Sequence, residues 1–126
     1  MSAEAKDALL RAKRLVAATG KDAKGWKNHR CAQELLQAAL DEDPGNTALL
    51  TALGAVLSDR GFHKKAAEVL EKARKLGSQD RNTYYNLAVA LMNLEQHDRA
   101  MRWFKKASDY RVADGTWEAY FDPHGY

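Results

Sequence analysis

Histidine recurs in this chain at a fixed interval of 34 residues, at His29, His63 and His97, and the stretches around it agree beyond the histidine. "WKNHRCAQELLQAALDEDPGN", "RGFHKKAAEVLEKARKLGSQD" and "LEQHDRAMRWFKKASDYRVAD" each carry alanine at two further places: Ala32 and Ala39, Ala66 and Ala73, Ala100 and Ala107. Leu36, Leu70 and Phe104 stand midway between the members of each pair. Offsets of four and then three put these residues on one stripe of a helix, and small residues alternating with a large one suit a helix pressed closely against another. Upstream lies a second apolar period, Leu50, Leu53, Gly54 and Leu57 in one copy and Tyr84, Leu87, Ala88 and Leu91 in the next. Each unit is therefore predicted to be helix, short turn, helix. "SDRG" and "NLEQ" stand at the turns, and Pro44 in "DPGN" closes the first unit because proline cannot continue a helix. Paired helices repeating at this length are the signature of a solenoid, in which each unit buries its apolar face only against its neighbours.

On these residues the chain resembles the tetratricopeptide repeat family. The pattern is matched by Leu50, Leu53, Gly54, Leu57, Gly61, His63, Ala66, Leu70 and Ala73, and again by Tyr84, Leu87, Ala88, Leu91, His97, Ala100, Phe104 and Ala107. The resemblance implies an all-α fold, a short right-handed helix-turn-helix solenoid of about three units in a single domain over residues 1–126. The units expected are an irregular first one over 1–46, a second over 47–80 and a third over 81–114, followed by a short capping segment at 115–126. In the first unit only the second half fits, because "AATGKDAKGWKN" makes the connection longer than a tight turn.

What the resemblance implies for function is recognition without catalysis. The first helix of each unit is expected to line a concave groove that holds a peptide or helix of a partner protein. Carried onto this chain, the groove consists of Ala48, Thr51, Ala52, Ala55, Ser58 and Asp59 with Asn82, Tyr85, Asn86, Val89, Met92 and Asn93. Asn86 stands where peptide-gripping members place an asparagine on the peptide backbone. Members that clamp a C-terminal carboxylate use lysines and an arginine, and residues 48–59 and 82–93 contain neither type. The groove is thus neutral and suits an apolar or small-residue segment held by packing and amide hydrogen bonds.

The histidines take the start of the second helix of each unit, where the family usually has tyrosine, and read as packing groups. Three ligands of one metal would each need a nitrogen about 2.0–2.1 Å from it, whereas stacked helices stand roughly 8–10 Å apart. No metal and no cofactor is expected. Catalysis finds no support either: Glu68 and Glu71 fall where a helix exposes them, His29 and Cys31 point to different helix faces, and Asp122 with His124 reads as a terminal turn.

A net charge of +3 is too mild for a dedicated nucleic-acid protein. The alternative function is nonetheless a nucleic-acid accessory role, with Lys21, Lys24, Lys27 and Arg30 around a stacking Trp26 in the segment at 21–30. A solvated loop anchored by a buried Trp26 is the preferred reading. Gly20 and Gly25 have phosphate-loop spacing, but Trp26, Lys27 and Asn28 follow where that motif needs Lys and then Ser or Thr. No run approaches the roughly 18 apolar residues of a membrane helix, and "MSAEAKDALLRAK" lacks the pattern of a signal peptide. The expected location is cytoplasmic. Cys31 is the only cysteine, which precludes an internal disulfide and fits a reducing compartment.

The C-terminal end carries more apolar surface than a polar end-cap should. Met101, Trp103, Phe104 and Tyr110 lie on the last clear helix, and Trp117, Ala119, Tyr120 and Phe121 follow in a segment with room for a turn or two of helix before Pro123. The expectation is that this segment folds back as a truncated next helix over the last face. Trp103, Phe104, Trp117, Tyr120 and Phe121 are then the residues of capping or of self-association into a symmetric homodimer.

Overall fold

The computed structural model describes residues 1–18 and 25–120. The described residues contain six helices: α1 (Ala3–Ala17), α2 (Gly25–Glu42), α3 (Thr47–Asp59), α4 (His63–Lys75), α5 (Arg81–Asn93) and α6 (His97–Ala107). There is no named strand among them, and a single parallel bridge joins Asp80 to Arg111. The helical repeat expected from the sequence is therefore present.

The repeat is visible in how the helices start and stop. Asn46 and Asp80, 34 residues apart, are the N-caps of α3 and α5 and accept from Leu49 N–H at 3.0 Å and Asn82 N–H at 3.0 Å. Each satisfies one of the amide donors a helix start leaves without a partner. At the other end of α3, Phe62 N–H reaches back to Leu57 C=O at 2.8 Å and Gly61 N–H to Ser58 C=O at 3.0 Å. At the end of α5, Gln96 N–H bonds Leu91 C=O at 2.9 Å and Glu95 N–H bonds Met92 C=O at 3.0 Å. Both are Schellman closures, which need a left-handed residue just past the helix. Gly61 supplies it at φ 86° and Glu95 at φ 61°. His63 and His97 then open α4 and α6, but His29 lies inside α2, which begins at Gly25.

Helices pack as the pairs α1–α2, α3–α4 and α5–α6, and the pairs stack through α2–α3 and α4–α5. The first helices of successive pairs also touch, α1 with α3 and α3 with α5. Among the described residues α2 and α4 make no such approach, nor do α4 and α6. First helices in contact and second helices held apart make the α1–α3–α5 side the inner, concave one. The predicted stripe forms the core between the pairs: Ala32, Leu36, Ala66, Leu70 and Ala73 are fully buried. Burying a leucine side chain contributes about 1.5–3 kcal/mol. Close approach is required at Gly54, where a Cβ would stand 2.4 Å from Leu70 Cγ.

Candidate partner-binding groove

Along the inner side, α3 offers Thr51, Ala55 and Ser58, and α5 offers Asn82, Asn86 and Val89, all of them buried. The Thr51 and Thr83 hydroxyls are 2.6 Å apart and those of Thr83 and Ser78 2.7 Å apart, a chain of hydroxyls that fixes α3 against α5 and the turn before it. Tyr85 is half-buried with its ring edge-on to Phe104 at 5.4 Å and the Arg81 guanidinium 4.7 Å over its face. Burial, helped by Glu118 and opposed by Arg81, raises its phenol pKa above the ordinary value. Met92 packs at the edge of the main core. Asn93 is exposed and donates to Val89 C=O within its own helix at 3.1 Å.

Asn82 and Asn86 are only 1% and 0% exposed because residues 113–120 of the chain lie across them. This tail follows α6 and contains no helix among the described residues, so the turn or two of helix predicted near Trp117 does not form. Side chains of α3 and α5 take its backbone groups instead. Asp80 accepts from Ala113 N–H at 3.0 Å and from the Thr116 hydroxyl at 2.6 Å, while Asn82 donates to that hydroxyl at 3.1 Å. The Asn86 carboxamide donates to Trp117 C=O at 3.0 Å and accepts from Ala119 N–H at 2.8 Å. A carbonyl and the amide two residues on point to the same side of an extended chain, so one side-chain amide pairs with both as a neighbouring parallel strand would. Asp59, at the end of α3, accepts from Tyr120 N–H at 2.8 Å.

Apolar contacts complete the seat. Ala119 is buried against Ala55 and Val89, with Trp117, Tyr85 and Phe104 packed on the same cluster. Arg81 pairs with Glu118 at 2.7 Å on the exposed edge. The chain turns at Gly115, whose φ is 88° and where a Cβ would come 2.8 Å from Leu9 Cδ2 of α1. All three inner helices thus meet the tail. The tail's path was not legible in the sequence. A signal for Asp80 was present, since an aspartate just before a helix reads as an N-cap, but its second carboxylate oxygen is committed only by the fold.

The other predicted residues fall as follows. Trp103 lies 5.9 Å from Tyr84 with the Arg74 guanidinium 5.1 Å over its ring, and Tyr84 stacks on Tyr110 at 4.5 Å. Tyr120 and Met101 are exposed. Phe121, Asp122 and His124 lie outside the described residues, as do Lys21, Lys24 and the side chain of Trp26. Lys27 and Arg30 are exposed on α2. His29 is buried with Nε2 3.2 Å from Asp59 Oδ2, tying α2 to α3. His63 is half-buried with Nδ1 lacking a partner among the described residues, and its pKa is lowered by burial, whereas His97 is exposed. The three imidazoles thus sit in three environments. Among the described residues no group of three or more His, Cys, Asp or Glu is placed to hold a metal ion. No helix there is long and apolar enough to cross a membrane.

A family model described as tetratricopeptide repeat matches residues 1–122. The chain belongs to the tetratricopeptide repeat family, whose members generally serve as protein–protein interaction modules. A search of curated proteins finds no match to the chain.

Proposed function

We propose that this chain is a non-catalytic interaction module that holds an extended segment of a partner protein on the inner face formed by α3 and α5. The observation that carries this reading is the Asn86 carboxamide, which pairs with a backbone carbonyl at 3.0 Å and the amide two residues on at 2.8 Å. Such a contact reads backbone and is indifferent to side chain, so any extended segment able to pack on Ala55, Val89 and Tyr85 can make it. Thr51, Ser58, Asn82, Met92 and Asn93 complete the proposed surface. The test is the double variant Tyr85→Ala/Asn86→Ala, compared with wild type for proteins captured from native extract and for helicity by circular dichroism. Loss of capture with helicity retained supports the groove. Unchanged capture moves the binding surface elsewhere. Pairing of two chains through their C-terminal ends is supported by Met101 and Tyr120, which are 58% and 68% exposed. Light scattering at micromolar concentration tests it, and a monomeric mass removes it.

A further inference from the structure

The groove already holds a segment of this chain, and that segment is an imperfect fit. On the stripe of α3 that includes Thr51 and Ala55, the Ser58 hydroxyl is buried with no partner among the described residues, and so is the indole N–H of Trp117. A buried donor left unpaired opposes the contact it sits in. The tail is also outside every helix, so its departure breaks no hydrogen bond of the helical ladder. Its attachment to the inner face runs mainly through side chains of α3, of α5 and of the N-cap before α5: Asp59, Asn82, Asn86 and Asp80. Each of these side chains is as able to bond a foreign segment as the chain's own.

We propose that residues 113–120 are an internal competitor for the groove. The external partner is an extended segment with a hydroxyl residue, an aromatic directly after it and a small residue two places further on, as in Thr116, Trp117 and Ala119, and it enters by displacing the tail. This rests on the groove reading above and adds both the ligand's chemistry and its regulation. The hydroxyl is selected because Asp80 needs a donor and Asn82 an acceptor at one point, 2.6 and 3.1 Å away. The small residue is selected because Ala119, at 3% exposure, fills the space against Ala55 and Val89. A tethered segment acts at an effective concentration on the order of millimolar. It therefore weakens the apparent affinity for an outside segment by the fraction of time the groove is free.

The experiment titrates a labelled synthetic peptide of residues 112–120, "VADGTWEAY", with the full chain and its variants, following fluorescence polarisation. Ala119→Pro deletes the N–H that Asn86 accepts, and Gly115→Ala forces a side chain into a left-handed position against Leu9; neither alters the groove. Both variants should bind the peptide at least about tenfold more tightly than wild type, and adding Asn86→Ala to Ala119→Pro should abolish the gain. Circular dichroism monitors folding, and Gly115→Ala carries the test if Ala119→Pro does not fold. Equal binding by wild type and folded variants leaves the groove reading standing and overturns the competitor. Absence of binding by the folded variants removes the groove reading and the proposal with it. Equal binding of a scrambled peptide overturns the stated ligand pattern. Loss of helicity in both variants overturns the proposal, because the tail is then a part of the core.

Discussion

The second and third helix pairs are copies of one scaffold and differ on the face that matters for binding. Asn46 and Asp80 cap them at the same repeat position, and the same Schellman bonds close α3 and α5. Where α3 has Ala48 and Ala52, however, α5 has Asn82 and Asn86. Those amides are buried and every bond they make to the tail is satisfied, so α5 supplies hydrogen bonds while α3 supplies mainly small apolar surface. A repeat scaffold can therefore change what one helix presents without changing how it packs, because backbone caps and core stripe occupy other faces of the same helix.

The largest expected effect comes from erasing the difference. Asn82→Ala/Asn86→Ala gives α5 the alanines of α3, removes the bond Asn82 donates to the Thr116 hydroxyl and strands the Trp117 carbonyl and the Ala119 N–H. The expected loss is about 3 kcal/mol, read from urea denaturation, since several buried hydrogen bonds go at once. A loss no larger than that of an exposed substitution would mean the tail is not seated in solution. Next is Gly54→Ala, which puts a Cβ against Leu70; the third pair has Ala88 at the repeat position of Gly54 and the half-buried Phe104 at that of Leu70. Overpacking there should cost about 2 kcal/mol, and Leu70→Val in the same chain should recover part of it.

The third effect is a pH response confined to the third pair. Tyr84 occupies the repeat position of Leu50, and its pKa is raised to about 12, chiefly by burial and then by the Tyr110 hydroxyl. Its hydroxyl donates to Ser78 C=O at 2.7 Å. A phenol that stays neutral to higher pH when folded contributes stability that is fully present below pH 10, its unfolded value, and lost as pH rises toward 12. Alkaline unfolding should steepen in that window, by an order of 1–2 kcal/mol, and Tyr84→Phe should flatten it.

Smaller still is the turn. Glu95 holds the left-handed position that Gly61 holds in the preceding pair, so Glu95→Gly should raise stability by about 1 kcal/mol and Gly61→Ala should lower it by a similar amount. Thermal midpoints of the two variants check both signs. The smallest effect comes from His63 at the start of α4. Burial lowers the pKa of His63, so its contribution is present above pH 6.5 and lost as pH falls below that value. His63→Phe should reduce the acid sensitivity of stability, read from urea midpoints at neutral and mildly acidic pH.

The sequence by itself determined the helical repeat. Spacing in the stripe Ala66, Leu70 and Ala73, the left-handed turn at Gly61 and the proline at 44 are local or periodic properties, and a solenoid needs only that each unit fit its neighbour. The resemblance to the tetratricopeptide repeat family, carried onto the sequence, implied that Asn86 and Ala55 belong to the inner face. Tertiary structure alone decided what lies on that face. Trp117 and Ala119 meet Asn86 across more than thirty residues of sequence, and a side-chain amide bonding backbone leaves no mark in the residues it bonds. The aromatic pattern of the tail suits a short amphipathic helix equally well. What excludes that helix is the set of carboxylate and amide groups that only folding brings beside it, Asp80 at the N-cap of α5, Asn86 within α5 and Asp59 from α3, which take the backbone groups a helix would have kept for itself.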